Sequence, residues 1–200
     1  SQLMSVPACQ RATKRAIVDR LMAAHRRQTL PETGVPVKIE IAIVDDVATL
    51  TLDTSGVGLH KRGYRPEVGE AALKETLAAG LVLLSVWRPD RPLVDPFCGT
   101  GTIAIEAAMI GRNIAPGLGR AFDAERWPGF AEAFAAAREE ARGSPKAELA
   151  HTIHASDVDE RALAMARRAA AAAGVERDVH FKAQPFEALY SHEETGNWPS

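Results

Sequence analysis

The sequence predicts an α/β fold, in which a partial parallel sheet with crossover helices follows a smaller α+β unit. From residue 90 onwards, apolar strand-like segments alternate with helical ones, and this order is typical of parallel strands joined by helices. Before residue 53, a helical segment is followed by two alternating segments with a short turn between them, which predicts a β-hairpin. We therefore expect a first unit at residues 1–52 and a second unit at residues 53–200.

The composition is that of an ordinary globular protein: 200 residues, 46% hydrophobic and 25% charged, with a net charge of −2. The two cysteines, Cys9 and Cys98, lie far apart, which argues against a disulfide framework and for a reducing compartment. The longest strongly apolar run, residues 77–87, is too short to cross a bilayer, and no signal peptide opens the chain. We expect a cytoplasmic protein that does not enter a membrane.

The first unit is predicted to be one helix followed by a hairpin. Apolar residues recur at helical spacing over residues 7–29, and residues 37–44 and 47–52 alternate as half-buried strands do. Residues 1–30 carry six Lys and Arg side chains against one Asp, a local charge of +5. Such a helix presents either a solvated charged face or a contact for nucleic acid.

A second basic stretch, residues 59–65, places three cations and Tyr64 within seven residues. These side chains could contact phosphates and stack on a base, or they could form a solvated loop with Tyr64 packed locally. A helix is expected over residues 70–87, and its leucines recur at helical spacing. That spacing predicts a buried apolar stripe formed by Leu73, Leu77, Leu81 and Leu84.

Residues 94–102, the glycine-rich turn, join an apolar strand to a helix that runs to about residue 112. A glycine-rich turn between a strand and a helix aims backbone N–H groups and a helix N-terminus at a ligand, at the carboxyl end of the sheet. The turn therefore predicts a nucleotide-like cofactor site with Asp95 at its edge. Cys98 reads as a small buried residue of this turn and not as a nucleophile, because no base is placed to activate it.

The rest of the chain supplies the remaining elements of the sheet. Helices are expected over residues 124–142 and 158–173, the second one closed by Gly174, and strands over residues 151–155 and 179–183. The aromatic side chains of the first of these helices are expected in the core, namely Trp127, Phe130 and Phe134. Residues 191–200 are expected to form a turn-like tail.

Three ligand hypotheses compete for this site. Residues 99–104 fit the dinucleotide fingerprint, but the acids at the required distance, Asp123 and Glu125, follow no strand. S-adenosylmethionine suits the pattern better. Asp95 could hold its ammonium group, and Asp157, which follows the next strand, could hold its ribose. The alternative role for Asp157 is to cap the following helix. A non-catalytic RNA-binding module would use the basic stretches but leave the glycine-rich turn without a role.

Four consecutive blocks resemble the THUMP-containing RNA methyltransferases: residues 53–65, 73–79, 95–102 and 113–118. These are class I, Rossmann-like enzymes that use S-adenosylmethionine to methylate the exocyclic amine of guanine in ribosomal RNA, with relatives that act on tRNA. The resemblance covers nearly the whole chain. It implies that residues 1–52 are the closing part of a THUMP-type RNA-binding domain, that the partner is structured RNA, and that no metal is needed.

The resemblance also implies roles for individual residues. The methionine end of the cofactor would lie against the glycine-rich turn, whose candidate residues are Asp95, Pro96, Cys98, Gly99, Gly101 and Thr102. Asp157 would hold the ribose. Family members place an Asp near the adenine amine, where this chain has Pro185, so Gln184 or Glu187 would take that contact.

The resemblance further implies a missing element. Family members carry Asn-Pro-Pro-Tyr after the fourth strand, where it orients the target amine and stacks on the flipped base. The sequence stops at about the place where that strand should begin. We therefore expect an internal segment of such an enzyme that is inactive alone, and we assign no catalytic residue to it.

Overall fold

The computed structural model describes residues 5–65, 73–146 and 148–189, and the chain separates into two compact units. Unit 1 comprises Ser1–Gly56 and Phe122–Ala131, and unit 2 comprises Val57–Ala121 and Glu132–Ser200. The predicted tail at residues 191–200 and the predicted helix start at residues 70–72 lie outside the described residues.

Unit 1 contains a helix, α1 (Val6–His25), and a hairpin of β1 (Lys38–Val44) and β2 (Val47–Asp53). The two strands pair antiparallel across the turn residues Asp45 and Asp46, which both have positive φ angles as a tight hairpin turn requires. The predicted helix is four residues too long, because Arg26 adopts a left-handed conformation and ends α1 there. The segment Phe122–Ala131 joins this unit through a hydrogen bond from Ala124 N to Thr54 O.

Unit 2 is built on a parallel sheet of three short strands, β3 (Leu93–Asp95), β4 (Ile153–Asp157) and β5 (Val179–Ala183). The strands lie side by side in chain order, with Asp95 opposite Ala155 and Asp157 opposite Ala183. The predicted α/β class and the parallel pairing are therefore confirmed.

The helices of unit 2 are α2 (Glu75–Leu84), α3 (Thr102–Gly111), α4 (Ala131–Arg142, whose first residue belongs to unit 1) and α5 (Glu160–Ala173). Gly174 ends α5 with a left-handed φ of 73°, as predicted. Small side chains on α3 and α5 let these helices pack closely on the sheet. The core they form includes Ala104, Ile105, Ala108, Ile153, Leu163, Ala166 and Phe181.

The predicted buried stripe of α2 is wrong. Leu77, Leu81 and Leu84 are exposed, Leu84 by 87%, whereas the buried residues are Glu75, Ala78 and Val82. The helix is apolar on nearly all sides, so the spacing of its leucines does not identify the face that packs. That face is instead fixed by the small Ala78 and by the ion pair that Glu75 makes with Arg65.

The predicted helix over residues 124–142 is also wrong, because it is interrupted. Asp123–Arg126 is a short 3-10 helix, Gly129 has a φ of 84°, and α4 begins only at Ala131. Trp127 and Phe130 contact each other edge to face with ring centroids 5.9 Å apart, but Phe130 is 47% exposed. Phe134 is only half-buried, so these aromatic rings do not form the predicted core.

Candidate cofactor site

The candidate site lies at the carboxyl edge of the parallel sheet in unit 2. Asp95 ends β3, Asp157 ends β4, and Gln184 follows β5. Gly99 N donates a hydrogen bond of 2.8 Å to Asp157 Oδ2, and Gln184 N donates one of 3.1 Å to Asp157 O. The structure therefore brings the acids and the glycine-rich turn together, at the edge where open α/β sheets bind ligands.

Backbone hydrogen bonds hold the glycine-rich turn against the sheet. Cys98 N donates to Ser156 O at 2.9 Å, and Gly101 N donates to Cys98 O at 2.8 Å. Gly101 then caps α3, where Ile105 N donates to Gly101 O and Thr102 starts the helix. The first N–H groups of α3 have no partner within the helix and can face a bound anion.

The two glycines of the turn serve different purposes. Both have left-handed φ angles, 53° at Gly99 and 75° at Gly101, which disfavour other residues. A Cβ at Gly101 would lie 2.9 Å from Phe181 Cε1 and 3.0 Å from Ala166 Cβ, whereas a Cβ at Gly99 would meet nothing within 4 Å. Gly101 thus allows the turn to pack on the sheet. Gly99, whose N–H is bonded to Asp157, leaves space at its Cα side among the residues that the structure describes.

Asp95 is a partly buried carboxyl group beside the turn. Burial raises the pKa of Asp95, and the neighbouring Asp157 raises it further, while a hydrogen bond from Phe97 N opposes both effects. A ligand cation would stabilise the ionised form of Asp95. The site therefore presents a carboxylate that gains from pairing with an ammonium group.

Asp157 is not the cap of the following helix. Asp159 has that role, since its side chain accepts a hydrogen bond of 2.8 Å from Arg161 N. Asp157 instead accepts from Gly99 N through Oδ2 and from Asp159 N, at 3.0 Å, through Oδ1. Each carboxylate oxygen can accept a second hydrogen bond. Asp157 can therefore keep its bonds to Gly99 N and Asp159 N and also accept a hydrogen bond from a ligand hydroxyl.

The side chain of Gln184 carries an unsatisfied acceptor. Its Oε1 is buried and has no hydrogen-bond partner within the part of the chain that the structure describes, and the same is true of Ser156 Oγ. A buried acceptor without a partner is costly, so a donor supplied by a ligand would be favourable here. Glu187, the other candidate for this contact, is exposed.

Cys98 fits its predicted description as a small buried residue. Burial, followed by the charges of Asp95 and Asp157, raises the pKa of its thiol to about 12. A thiol with such a pKa is protonated at neutral pH and is a poor nucleophile.

Both predictions for the basic stretch (residues 59–65) are wrong for Arg62 and Arg65, whereas Tyr64 is packed, as the second one expected. Arg62 makes a bidentate ion pair with Glu106, through bonds of 3.2 and 3.1 Å, and the buried Tyr64 hydroxyl donates to Glu106 at 2.8 Å. Arg65 donates to Glu75 and to Thr100 Oγ1. The side chains of Arg62, Tyr64 and Arg65 therefore have their hydrogen-bond partners within unit 2. Of the three cations, only Lys61 is exposed.

Sequence reasoning therefore missed Glu106 and Thr100 as partners of this stretch. Glu106 is the one charged residue of α3, within an otherwise apolar helix. A lone carboxylate in such a helix needs a buried partner. That requirement could have indicated that a cation of the basic stretch forms a buried ion pair with Glu106.

An aromatic pair was also missed, formed by Phe97 of the glycine-rich turn and the half-buried Phe186. Phe97 is 72% exposed and stacks on Phe186, with ring centroids 5.1 Å apart and the ring planes inclined by 25°. Phe97 belongs to the loop after β3, and Phe186 to the segment after β5.

The structure does not support the dinucleotide hypothesis. It requires an acid about 20 residues after the turn at the end of a strand, whereas the acids at that distance, Asp123 and Glu125, lie in a 3-10 helix at Asp123–Arg126. In the ranges that the structure describes, no group of three or more His, Cys, Asp or Glu side chains is arranged to hold a metal ion. Nor is any described helix long and apolar enough to cross a membrane.

Known proteins resemble this chain over most of its length. Residues 62–197 match the family of RMKL-like methyltransferase domains. YpsC of Bacillus subtilis, provisionally named an RNA methyltransferase, is 49% identical over 185 residues, which are 91% of this chain and 48% of YpsC. The ribosomal RNA large subunit methyltransferase K/L of Photobacterium profundum is 41% identical over 179 residues, 84% of this chain and 25% of that protein.

A solved structure supports the same relationship. SMU.472, provisionally named a methyltransferase and crystallised with S-adenosylhomocysteine, superimposes with a TM-score of 0.85 at 43% identity. The match covers 94% of this chain and 50% of SMU.472. The chain thus spans half or less of the length of these relatives.

Proposed function

Because this chain belongs to the RMKL-like methyltransferase family, we propose that its protein transfers a methyl group from S-adenosylmethionine to a base of RNA. The observation that carries the proposal is the convergence of Asp95, the glycine-rich turn and Asp157 at one edge of the parallel sheet. The binding of S-adenosylhomocysteine by SMU.472 and the RNA methyltransferase names of the relatives support it.

The residues at this edge suit the chemical groups of the methyl donor. The carboxylate of Asp95 would hold the ammonium group. Of residues 99–101, Gly99 N and Gly101 N already donate within the protein, so the N–H of Thr100 with the N-terminus of α3 would hold the carboxylate. Pro96, Cys98 and Thr102 would shape the wall of this pocket. When bound, S-adenosylmethionine supplies an electrophilic methyl group on a sulfonium centre.

Two further residues would hold the nucleoside end. Asp157 would accept hydrogen bonds from the ribose hydroxyls, which its free lone pairs allow. Gln184, whose buried Oε1 has no hydrogen-bond partner among the described residues, would turn its side chain amide to accept from the adenine amine. The contribution of these residues to the reaction is the positioning of the donor, which can supply a large part of an enzymatic rate enhancement.

The acceptor proposed here is the exocyclic amine of guanine in ribosomal RNA. The name of the K/L relative and the resemblance to THUMP-containing enzymes support this choice. Residues 1–52 would be the closing part of the THUMP-type domain, with α1 facing RNA. The exposure of all six basic side chains in residues 1–30 agrees with that role.

Incubation of the full-length protein with methyl-labelled S-adenosylmethionine and separate pools of ribosomal RNA, tRNA and DNA tests the proposal. We expect label in ribosomal RNA, recovered as N2-methylguanosine after digestion. Label confined to tRNA would overturn the ribosomal assignment, and label in adenine of DNA would overturn the RNA assignment. If no nucleic acid is labelled and the protein does not bind S-adenosylhomocysteine, the methyltransferase proposal fails.

A further inference from the structure

Arg65 is a buried guanidinium group that joins three parts of unit 2. Its side chain is only 6% exposed. Nη1 donates to Glu75 Oε1 at 3.3 Å and to Leu73 O at 3.2 Å, while Nη2 donates to Thr100 Oγ1 at 2.7 Å. Neutralising the charge requires only Glu75. The shortest of the three hydrogen bonds nevertheless goes to a neutral hydroxyl in the glycine-rich turn.

Thr100 occupies a special place in that turn. It lies between Gly99 and Gly101, which both have left-handed backbones and no side chains. One hydrogen bond holds the N–H of each glycine, from Gly99 N to Asp157 and from Gly101 N to Cys98 O. Neither glycine has a side chain that could pack, and glycine carries a large entropic cost of ordering. The hydroxyl of Thr100 gives the tip of the turn a side-chain attachment, and Arg65 is its donor.

We infer that Arg65 is a positioning residue for the methyl-donor site. Through Thr100 it fixes the conformation in which the turn presents the N–H of Thr100 and the N-terminus of α3, and Glu75 and Leu73 in turn fix Arg65. The inference rests on the proposed function, since it assumes that the turn binds the methionine end of S-adenosylmethionine. It predicts that the loss of one hydroxyl outside the ligand contacts weakens cofactor binding.

Arg62 offers a matched control in the same basic stretch. It too makes a buried ion pair, with Glu106 of α3, and its side chain is 12% exposed. Among the residues that the structure describes, its side chain donates to Glu106 and not to the glycine-rich turn. A purely structural role for the basic stretch would make both arginines equally important for binding.

The experiment measures the affinity of the full-length protein for S-adenosylhomocysteine by calorimetry, together with its unfolding midpoint. Thr100→Val removes the hydroxyl and keeps the branched shape, whereas Thr100→Ser keeps the hydroxyl. Arg65→Lys cannot serve Glu75 and Thr100 together, because lysine lacks the planar fork. We expect Thr100→Val and Arg65→Lys each to weaken binding about tenfold, as the loss of one charge-assisted hydrogen bond would, and Thr100→Ser to restore it to within about threefold.

Two comparisons separate positioning from stability. Arg62→Lys should lower the unfolding midpoint at least as much as Arg65→Lys but leave the affinity within about threefold of the unaltered protein. The double variant of Arg65→Lys with Thr100→Val should bind no worse than the weaker single variant, since both remove the same interaction. Equal losses of affinity for Arg62→Lys and Arg65→Lys would overturn the inference.

The outcome for the unaltered protein distinguishes the two proposals. If it binds S-adenosylhomocysteine and Thr100→Val binds equally well, the positioning inference is wrong and the proposed function stands. If the unaltered protein does not bind S-adenosylhomocysteine, the proposed function fails and the inference falls with it.

Discussion

The basic stretch (residues 59–65) and the glycine-rich turn (residues 94–102) both have the composition of ligand-binding segments, but the structure uses them in opposite ways. The arginines and the tyrosine of the basic stretch are directed inward to Glu106, Glu75 and Thr100. The turn leaves open space at Gly99 and a partly buried carboxyl group at Asp95. A polar motif therefore indicates a ligand only when the protein does not itself satisfy its hydrogen bonds and charges.

The two segments also depend on each other. The bond from Arg65 to Thr100 connects the inward-facing segment to the outward-facing one. Apart from Arg65, changes among the buried ion pairs of the basic stretch should mainly reduce stability, and changes at residues that face the ligand should mainly reduce affinity. The predictions that follow test this division.

The largest effect is expected for Glu106→Gln. The substitution leaves the guanidinium of Arg62 buried without a counter-charge, and the loss of one partner from a buried ion pair costs about 3–5 kcal/mol. Chemical denaturation measures the change in the free energy of unfolding. Glu139→Gln is the control, because Glu139 pairs with Arg142 on the exposed face of α4 and such pairs contribute less than about 1 kcal/mol. Equal losses for the two variants would contradict the assigned role of Glu106.

Next in size is the contrast between the two glycines of the turn. Gly101→Ala combines a strained φ with a Cβ 2.9 Å from the ring of Phe181, so we expect a loss of about 2–3 kcal/mol in the free energy of unfolding. Gly99→Ala adds strain but no contact within 4 Å, and it should cost about 1 kcal/mol. Its Cβ would project where the ligand approaches, so its loss of affinity should exceed its loss of stability. The reverse order would place the ligand elsewhere.

Asp157→Ala should weaken the binding of S-adenosylhomocysteine by about 1–3 kcal/mol, because hydrogen bonds to the ribose are lost. Calorimetry on the full-length protein measures the change. Asp159→Ala is the matched control two residues away, since it removes only the cap of α5 and should cost about 1 kcal/mol of stability with little change in affinity. Unchanged affinity for Asp157→Ala would remove its assigned contact.

The smallest expected effect is a change of ligand affinity with pH. Burial raises the pKa of Asp95, so this carboxyl begins to gain a proton at a higher pH than an ordinary Asp does. The ligand ammonium favours the ionised form, and affinity should therefore fall as pH falls towards the raised pKa, by up to about tenfold per pH unit below it. Titrations from about pH 8 to about pH 5 should show this decline. Asp95→Asn should bind weakly at every pH, and an equally steep decline in that variant would assign the titration to another group.

The sheet and the turn could be predicted because their signals are local. Short apolar strands alternating with helices fix a parallel order, and the left-handed positions of the turn require Gly99 and Gly101 within three residues of each other. Asp95 and Asp157 follow from the same logic, since each ends a strand of one sheet and the carboxyl ends of its parallel strands share an edge.

Two features could not be predicted from local signals: which face of α2 packs on the core, and which partners the side chains of the basic stretch contact. The pairs that decide them join residues far apart in the chain, such as Arg62 with Glu106, 44 residues later. A helix that is apolar on nearly every side gives no sign of which face packs until its partner is known. The unsatisfied acceptor of Gln184 likewise depends on its place after β5, beside Asp157.

A crystal structure of the full-length protein with S-adenosylhomocysteine tests the central claim most directly. We expect the ligand ammonium within hydrogen-bonding distance of Asp95, its carboxylate at the N–H of Thr100 and the N-terminus of α3, and its ribose hydroxyls on Asp157. A ligand bound away from the carboxyl edge of β3 and β4, or one that contacts neither aspartate, would contradict it.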